Sequence, residues 1–317
     1  MGEMSVEQGD ATAVIPQVRL DQGEQEPLPR ISIVTPSFNQ GAYLERTIQS
    51  LLHQDYPDIE HLVIDGGSTD GSLDLLKKYE RHMAYWESQP DRGQSHAINK
   101  GFARATGEIM GWLNSDDILL PHALKIVGQV FHDHPQIQWL TAGSMNITAD
   151  DRLFSVRPSR RFYSRWTQLF NYSPPPQHCT FWRRDLWVRS GGYLREDTRV
   201  MDCELWLRFY EHAQLYVVDT MFGAWRCHPE AYTVRNAHSL LQEVRVTQAP
   251  HLRRYLRQRP WLFPLVPVFR MALRIVTSEA AKPMSRDLVN RVFFDWRVKP
   301  TRFLTFDPQA GRFRLRT

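Results

Sequence analysis

"MGWLNSDDILLP", residues 110–121, ends an apolar run (Met110, Trp112, Leu113) on two adjacent carboxylates, Asp116 and Asp117, and then turns apolar again. Neighbouring like charges repel, so placing them at the mouth of a core calls for a compensating partner. The run before them reads as a buried strand, and the chain upstream has the same rhythm. "ISIVTPS" (31–37) is a β-branched run ended by Pro36, and "GAYLERTIQSLLHQ" (41–54) repeats Tyr43, Leu44, Ile48, Leu51 and Leu52 at helical spacing. "EHLVIDGGS" (60–68) is a second strand with a glycine turn, and "SLDLLKKYERH" (72–82) a second helix. "MAYWESQ" (83–89) is a third strand and "GQSHAINKGFARA" (93–105) a third helix, before "EIMGWLN" (108–114) closes the series. Strands alternating with helices predict an α/β fold, a mostly parallel sheet flanked by helices on both faces.

Ligands on such sheets bind outside the carboxyl ends of the strands. Three polar clusters fall there: Thr35 to Asn39, Asp65 to Ser68, and Asn114 to Asp117. In "VIDGGSTDGS" (63–72), Gly66 and Gly67 let a ligand approach the backbone closely. Asp65 either accepts hydrogen bonds from a ribose or base, or caps the following helix. In "LNSDD", one or two hard carboxylate oxygens suit a metal whose remaining positions are filled by phosphate and water; the alternative is a solvated capping pair. Three polar strand ends within 117 residues suggest a nucleotide-diphosphate pocket. No GxxxxGK[ST] is present, which argues against a P-loop, and no GxGxxG follows the first strand, which argues against a dinucleotide site.

Residues 31–72 as a block, then "DRGQSHAINKGFARATGEIMGWLNSDD" (91–117), "MDCELWLRF" (201–209) and "AWRCHPEAYT" (224–233), resemble, in order and spacing, the family 2 glycosyltransferases of GT-A fold. The resemblance spans roughly residues 30–235 and implies an inverting, metal-assisted transfer of a sugar from a nucleotide-diphospho-sugar to a hydroxyl. It implies that Thr35 and Asp65 contact the base and ribose, with Pro36 and Asn39 shaping that pocket, and that Arg92, Gln94 and Asn99 border the donor. Asp116 matches the metal-binding member of the family's Asp-x-Asp motif, with Asn114 where the first acid is common; Asn offers hydrogen bonds but no charge. Asp117 is a second ligand or orients Asp116, and His228 completes the metal or diphosphate site or is structural. Arg226 is a candidate fixed cation for the diphosphate. The implied cofactor is Mg²⁺ or Mn²⁺.

Asp202 matches the family's general base, although Met201 stands where another acid is usual. A base must reach the acceptor hydroxyl; otherwise Asp202 caps the helix "CELWLRFYEH". Glu204 is spaced to form a surface pair with Arg208 at i,i+4. Downstream of the acidic motif, "HALKIVGQVFHDHP" (122–135) reads as a helix, "IQWLTAGSMNI" (137–147) as a strand and "LYVVDTMFGAWRCH" (215–228) as another. "FNYSPPPQHCTFWRR" (170–184) is irregular because of its three prolines, and its His178, Phe181 and Trp182 either stack on an acceptor sugar or pack in the core.

The domain pattern is a mobile leader over 1–29, a catalytic domain over 30–238 (nucleotide-binding half 30–121, acceptor half 122–238), and a basic, aromatic, helical extension over 239–317. From His251 onward there are 15 Lys/Arg against 4 Asp/Glu, which gives this segment +11 in a chain of net +4 and leaves the rest near −7. An amphipathic helix over 268–276 suits either a membrane interface or packing on the body; "DPQAGRFRLRT" (307–317) has no evident role. Three scattered cysteines exclude a disulfide framework, and no signal-peptide pattern or spanning apolar run is visible. The expected location is cytoplasmic, at the inner face of a membrane where the tail binds it. The partners are a nucleotide-sugar donor and a glycan or lipid-linked acceptor, with no nucleic acid. Two rivals remain, a nucleotidyltransferase and a non-catalytic nucleotide-sugar or carbohydrate-binding protein. The first should carry a glycine- and Arg/Lys-rich loop after strand one, which "TPSFNQGAYLE" lacks, and the second needs no base.

Overall fold

The computed structural model describes residues 27–159, 163–170, 174–268, 271 and 302–316. The leader expected over 1–29 lies almost wholly outside the described residues, as does most of the helix expected over 268–276.

The β-α rhythm is present as expected: β1 (Ile31–Ser37), α1 (Gly41–Leu52), β2 (Ile59–Asp65), α2 (Ser72–Tyr79), β3 (Tyr85–Ser88), α3 (Gln94–Arg104) and β4 (Ile109–Trp112). These four strands are parallel in the order β3-β2-β1-β4. Ser37 pairs with Asp65 and Asp65 with Ser88, so the strands end level and deliver their loops to one edge. Close approach of α3 to β1 needs Gly101, where a Cβ would meet the Val34 side chain at 2.5 Å.

After the acidic motif come β5 (Ile118–Leu119), α4 (Ala123–Asp133), β6 (Trp139–Thr148), β7 (Leu153–Arg157), α5 (Arg165–Phe170), β8 (Thr180–Arg183) and α6 (Arg184–Arg189). They are followed by α7 (Met201–His212), β9 (Tyr216–Cys227), α8 (Tyr232–Arg235) and α9 (Ala237–Arg257). Strand β8 is antiparallel to both β4 and β6, and β6 runs parallel to β9. After its prolines the proline-rich segment makes a 3₁₀ turn over Gln177–Cys179 and only then becomes extended in β8, where Phe181 and Trp182 fall on opposite faces of the sheet.

The expected helical extension contains a helix and ends in a correction. Helix α9 packs on α5 and α7 through Leu169, Leu207, Val244, Leu252 and Tyr255. The last described segment is a hairpin, β10 (Arg302–Asp307) and β11 (Arg312–Arg316), which joins the main sheet parallel to β9. "RFLTFD" and "RFRLR" alternate with period two. Leu304, Phe306, Phe313 and Leu315 join the core that holds β1 and α4, while arginines recur at every second place on the edge strand. Within "DPQAG", the Asp307 carboxylate accepts the Gln309 and Ala310 N–H groups, and Gly311 takes a positive φ of 64°. The main path is therefore β11-β10-β9-β6-β8-β4-β1-β2-β3, with β5 on β9 and β7 on β6. No helix among the described residues is long and apolar enough to cross a membrane.

The face of the sheet against α3 and α7 is filled by aromatic rings. Trp206 of α7 stacks on Trp112 (5.8 Å) and Trp139 (5.6 Å) and meets Trp182 edge-on at 5.6 Å. Each such contact adds to the large apolar area these rings bury. Trp206→Ala should therefore destabilise the fold by about 3–5 kcal/mol; a loss below about 1 kcal/mol in urea unfolding would show that the cluster does not hold α7 in place.

Candidate active site

A cleft of about 1130 Å³ opens along the carboxyl ends of the parallel strands. Pro36, Phe38, Gly66, Gly67 and Pro90 line its β1–β3 side, Asn114 and Asp116 its middle, and Asp202 the start of α7. Phe38 is 60% exposed and faces the glycine turn that follows β2.

Several residues expected to touch a nucleotide instead build the wall behind it. The Asp65 carboxylate accepts the N–H groups of Gly67 (3.1 Å) and Ser68 (2.8 Å) and the hydroxyls of Ser68 (2.5 Å) and Ser88 (2.7 Å). It is fully buried and fixes the 66–68 turn, so the chain's own polar groups occupy both oxygens. Thr35 is buried against His61, 3.0 Å from Nε2, and burial pulls that imidazole down to about 4. Asn39 (φ 52°) accepts the Thr69 N–H and gives its own N–H to Ser68, stitching the first loop to the second. Arg92 is held in a bidentate pair by Glu196 at 2.9 and 3.0 Å, and Asn99 clamps the backbone of Leu194 through both amide atoms. Of this group only Pro36 and Gln94 line the cleft; Gln94 donates to Asn114 Oδ1 at 2.8 Å.

The acidic pair divides. Asp116 turns to the cleft, with Oδ2 3.1 Å from His228 Nε2. The His228 ring is buried against Tyr43, their centroids 4.5 Å apart. Only the carboxylate lines the cleft; the imidazole is shut off from solvent behind it, so Asp116 is the hard donor that a divalent cation in the cleft would meet. Among the described residues no group of three or more His, Cys, Asp and Glu side chains forms a metal cluster. Asp116, with His228 holding it at 3.1 Å, fits a cation only where other ligands, such as diphosphate oxygens, complete its shell.

Asp117 is 1% exposed and its Oδ1 accepts the Arg226 N–H at 2.9 Å, which turns it inward and away from a ligand role. Burial, and then the charge of Asp116, push its carboxyl well above the usual range. Arg226 likewise is no diphosphate contact. It is fully buried, donates to the carbonyls of Asp116 (2.7 Å), Thr148 (3.2 Å) and Ala149 (3.3 Å), and pairs with Asp151.

On the opposite side, Val200 and not Asp202 occupies the capping position of α7. Asp202 lies in the first turn, faces the cleft and accepts the Cys203 N–H at 2.7 Å. Burial raises its pKa. Glu204 turns away from the cleft. Burial acts to raise its carboxyl, but His251 and Arg208 hold it below the usual range. Its partner Arg208 is the expected i,i+4 residue, but the pair is buried, and Arg208 also ties the Ser190 and Tyr193 carbonyls. Phe181 and Trp182 are core residues, whereas His178 reaches the cleft, hydrogen-bonded to Ser144 at 2.6 Å. The sequence reading missed Arg157, Arg199, Trp225 and Tyr232, all of which line the cleft. The signal for Arg199 and Tyr232 lay in their closeness to Asp202 and His228; nothing in the sequence distinguished Arg157 or Trp225.

Residues 32–186 match the sequence model described as "Glycosyl transferase family 2". An uncharacterized glycosyltransferase of Nostoc sp. is 38% identical over 111 residues, 32% of this chain and 33% of its own length. The curated relatives first matched are thus covered over about a third of their length. Among solved structures, the mannosyltransferase PcManGT from Pyrobaculum calidifontis in complex with GDP-Man and Mn²⁺ aligns over 84% of this chain and 81% of its own, with a TM-score of 0.56 at 17% identity. S. aureus TarS 1-349 in complex with UDP-GlcNAc aligns over 79% and 74%, with a TM-score of 0.57 at 17% identity. The fold shared with these neighbours is the mostly parallel sheet flanked by helices described above.

The raised pKa of Asp202 has a consequence for stability. Unfolded, the carboxyl titrates near its ordinary value of about 3.9; folded, it titrates higher. Below both values it is protonated in both states and costs nothing, and as pH rises through that window the native state carries a growing desolvation penalty. Asp202→Asn should therefore melt above the wild type at pH 7, and the gap should close toward pH 4. An equal or lower melting temperature at pH 7 would contradict the buried, poised carboxylate.

Proposed function

With residues 32–186 belonging to glycosyltransferase family 2, we propose that this protein transfers a sugar from a nucleotide-diphospho-sugar to an acceptor hydroxyl with inversion. One observation carries the proposal: Asp116, backed by the buried His228 at 3.1 Å, and Asp202 line a single cleft at the ends of the parallel strands. The complexes of the structural neighbours with GDP-Man and with UDP-GlcNAc support a nucleotide-sugar donor.

The nucleotide lies over the 36–38 and 66–67 turns, where Phe38 offers a ring face and the glycines a close backbone. Asn114, fixed by Gln94, presents hydrogen-bonding groups to the ribose. Asp116, positioned by His228 behind it, would hold a divalent cation, Mg²⁺ or Mn²⁺, which would supply charge neutralisation to the diphosphate leaving group. Asp202, partly desolvated, takes the proton of the acceptor hydroxyl. The acceptor oxygen attacks the anomeric carbon as the bond from that carbon to the diphosphate breaks, and the nucleoside diphosphate departs with the electron pair. A single in-line displacement inverts the centre. A non-catalytic binding protein would gain nothing from burying Asp202, since an unpaired carboxylate costs stability there.

Acceptor delivery at a membrane is part of the same proposal. Helix α9 exposes Arg245, Arg253 and Arg257 together with Leu241 and Val246, a mixture suited to an anionic interface.

UDP or GDP with Mn²⁺ should raise the melting temperature of the wild type, and Asp116→Ala should remove the Mn²⁺-dependent part. If no nucleoside diphosphate stabilises the wild type with either metal, the function proposed here is wrong. Once a donor is found, Asp202→Asn should lower turnover by about 10²–10⁴-fold and leave nucleotide affinity intact. Near-normal turnover in that variant would remove Asp202 as the base.

A further inference from the structure

The wall of the cleft away from the nucleotide carries two cations that the chemistry above leaves unused. Arg157 ends β7, and Arg199 lies three residues ahead of Asp202; both line the cleft. Strand β7 pairs with β6, beyond β8 and β4 from the β1–β3 side, so Arg157 belongs to the acceptor half. Elsewhere in the body, carboxylates neutralise Arg92, Arg183, Arg208 and Arg226. Among the described residues no carboxylate pairs with Arg157 or Arg199.

Arg157 is oriented, not loose. With the Asn146 amide turned to satisfy both of its ends, its nitrogen donates to the Met145 carbonyl at 3.3 Å and its oxygen accepts from the Ser155 hydroxyl at 2.6 Å and from Arg157 Nε at 3.2 Å. That arrangement leaves the terminal nitrogens of the guanidinium as an open fork, the geometry that receives a carboxylate or phosphate in bidentate fashion. Arg199 lies 5.4 Å from the Tyr232 ring centroid, a contact that positions the guanidinium without using its donors. Nearby His178 is pulled down to about 3, first by burial and then by the charge of Arg157, so it adds no charge of its own near neutrality. Trp225 on β9 pairs in register with Asn146 and presents a partly exposed ring to the same wall.

We propose that the acceptor carries an anionic group, a carboxylate or a phosphate, held by Arg157 and Arg199 while an adjoining sugar ring packs on Trp225. The proposal rests on the glycosyl-transfer function above. A neutral acceptor would strip water from two guanidiniums without replacing it, whereas an oxyanion returns charge-assisted hydrogen bonds.

The test uses the full chain with UDP and Mn²⁺ bound and three probe acceptors: methyl β-glucuronide, glycerol 3-phosphate and methyl β-glucoside, titrated by calorimetry. At least one acid should bind about tenfold or more tighter than the glucoside, and the stronger of the two identifies carboxylate or phosphate as the source. Arg157→Gln and Arg199→Gln should each erase most of that preference without changing UDP affinity; Arg157→Lys, which keeps charge but loses the fork, should fall between. Equal binding of the three probes, no binding of either acid, or loss of UDP affinity in Arg157→Gln overturns the proposal. Failure of UDP and GDP to bind the wild type would instead strike the proposed function itself.

Discussion

One buried cation organises the centre of the molecule. The Arg226 guanidinium, fully shielded from solvent, gathers the Asp116, Thr148 and Ala149 carbonyls and the Asp151 carboxylate, while its own N–H holds Asp117. Removing one partner from such a network typically costs about 3–5 kcal/mol, because the other charge is left uncompensated. The 114–117 loop, the end of β9 and the β6–β7 turn therefore cannot move independently. Two residues beyond Arg226, His228 inherits that rigidity, and its ring and the Arg226 guanidinium share Tyr43 of α1 as a neighbour. The Asp116–His228 pair is thus set by packing before any ligand arrives.

A second constraint brings Asp202 to the same cleft. Trp112 immediately precedes the acidic loop and Trp206 lies one helical turn beyond Asp202; the two rings stack. Trp139 and Trp182 close around them, so the start of α7 is aligned on the end of β4 by dispersion and ring geometry, without a hydrogen bond between the two elements. Small misplacements of reacting groups are expensive, so on the proposed function this aromatic volume directly behind the cleft would keep Asp202 and the 114–117 loop in register.

The first half of the fold was legible because its signals are local. Period-3.6 and period-2 patterns up to Trp112 each describe one element, and each element folds next to its sequence neighbour. The hairpin at 302–316 was also written in period two, but a short alternating run rich in arginine resembles a basic tail until β9 is available to pair with it. Of the expected site residues, Asp116 and Asp202 line the cleft and His228 lies buried behind Asp116. Asp65, Asn99 and Arg226 were misplaced because the same hydrogen-bonding capacity that suits a ligand also suits backbone groups that only the fold supplies. Arg157 was missed because nothing in a strand sequence says which of its exposed arginines lacks an acid.

The adjacent carboxylates of "NSDD" can now be told apart by environment. A buried carboxylate beside another charge lowers its cost by taking up a proton or by accepting donors, and Asp117 has both routes: a raised pKa and the Arg226 N–H. Asp116, left at the cleft surface, has an imidazole 3.1 Å away. The like charges therefore do not contribute equally to one site; the inner one secures the loop and the outer one faces outward. Such a division explains why so few protein donors reach the cleft centre. With so few, a cation proposed to sit at Asp116 would be held weakly by the protein alone and more firmly once diphosphate oxygens filled its shell. On the proposed function, metal and donor would then depend on each other for binding.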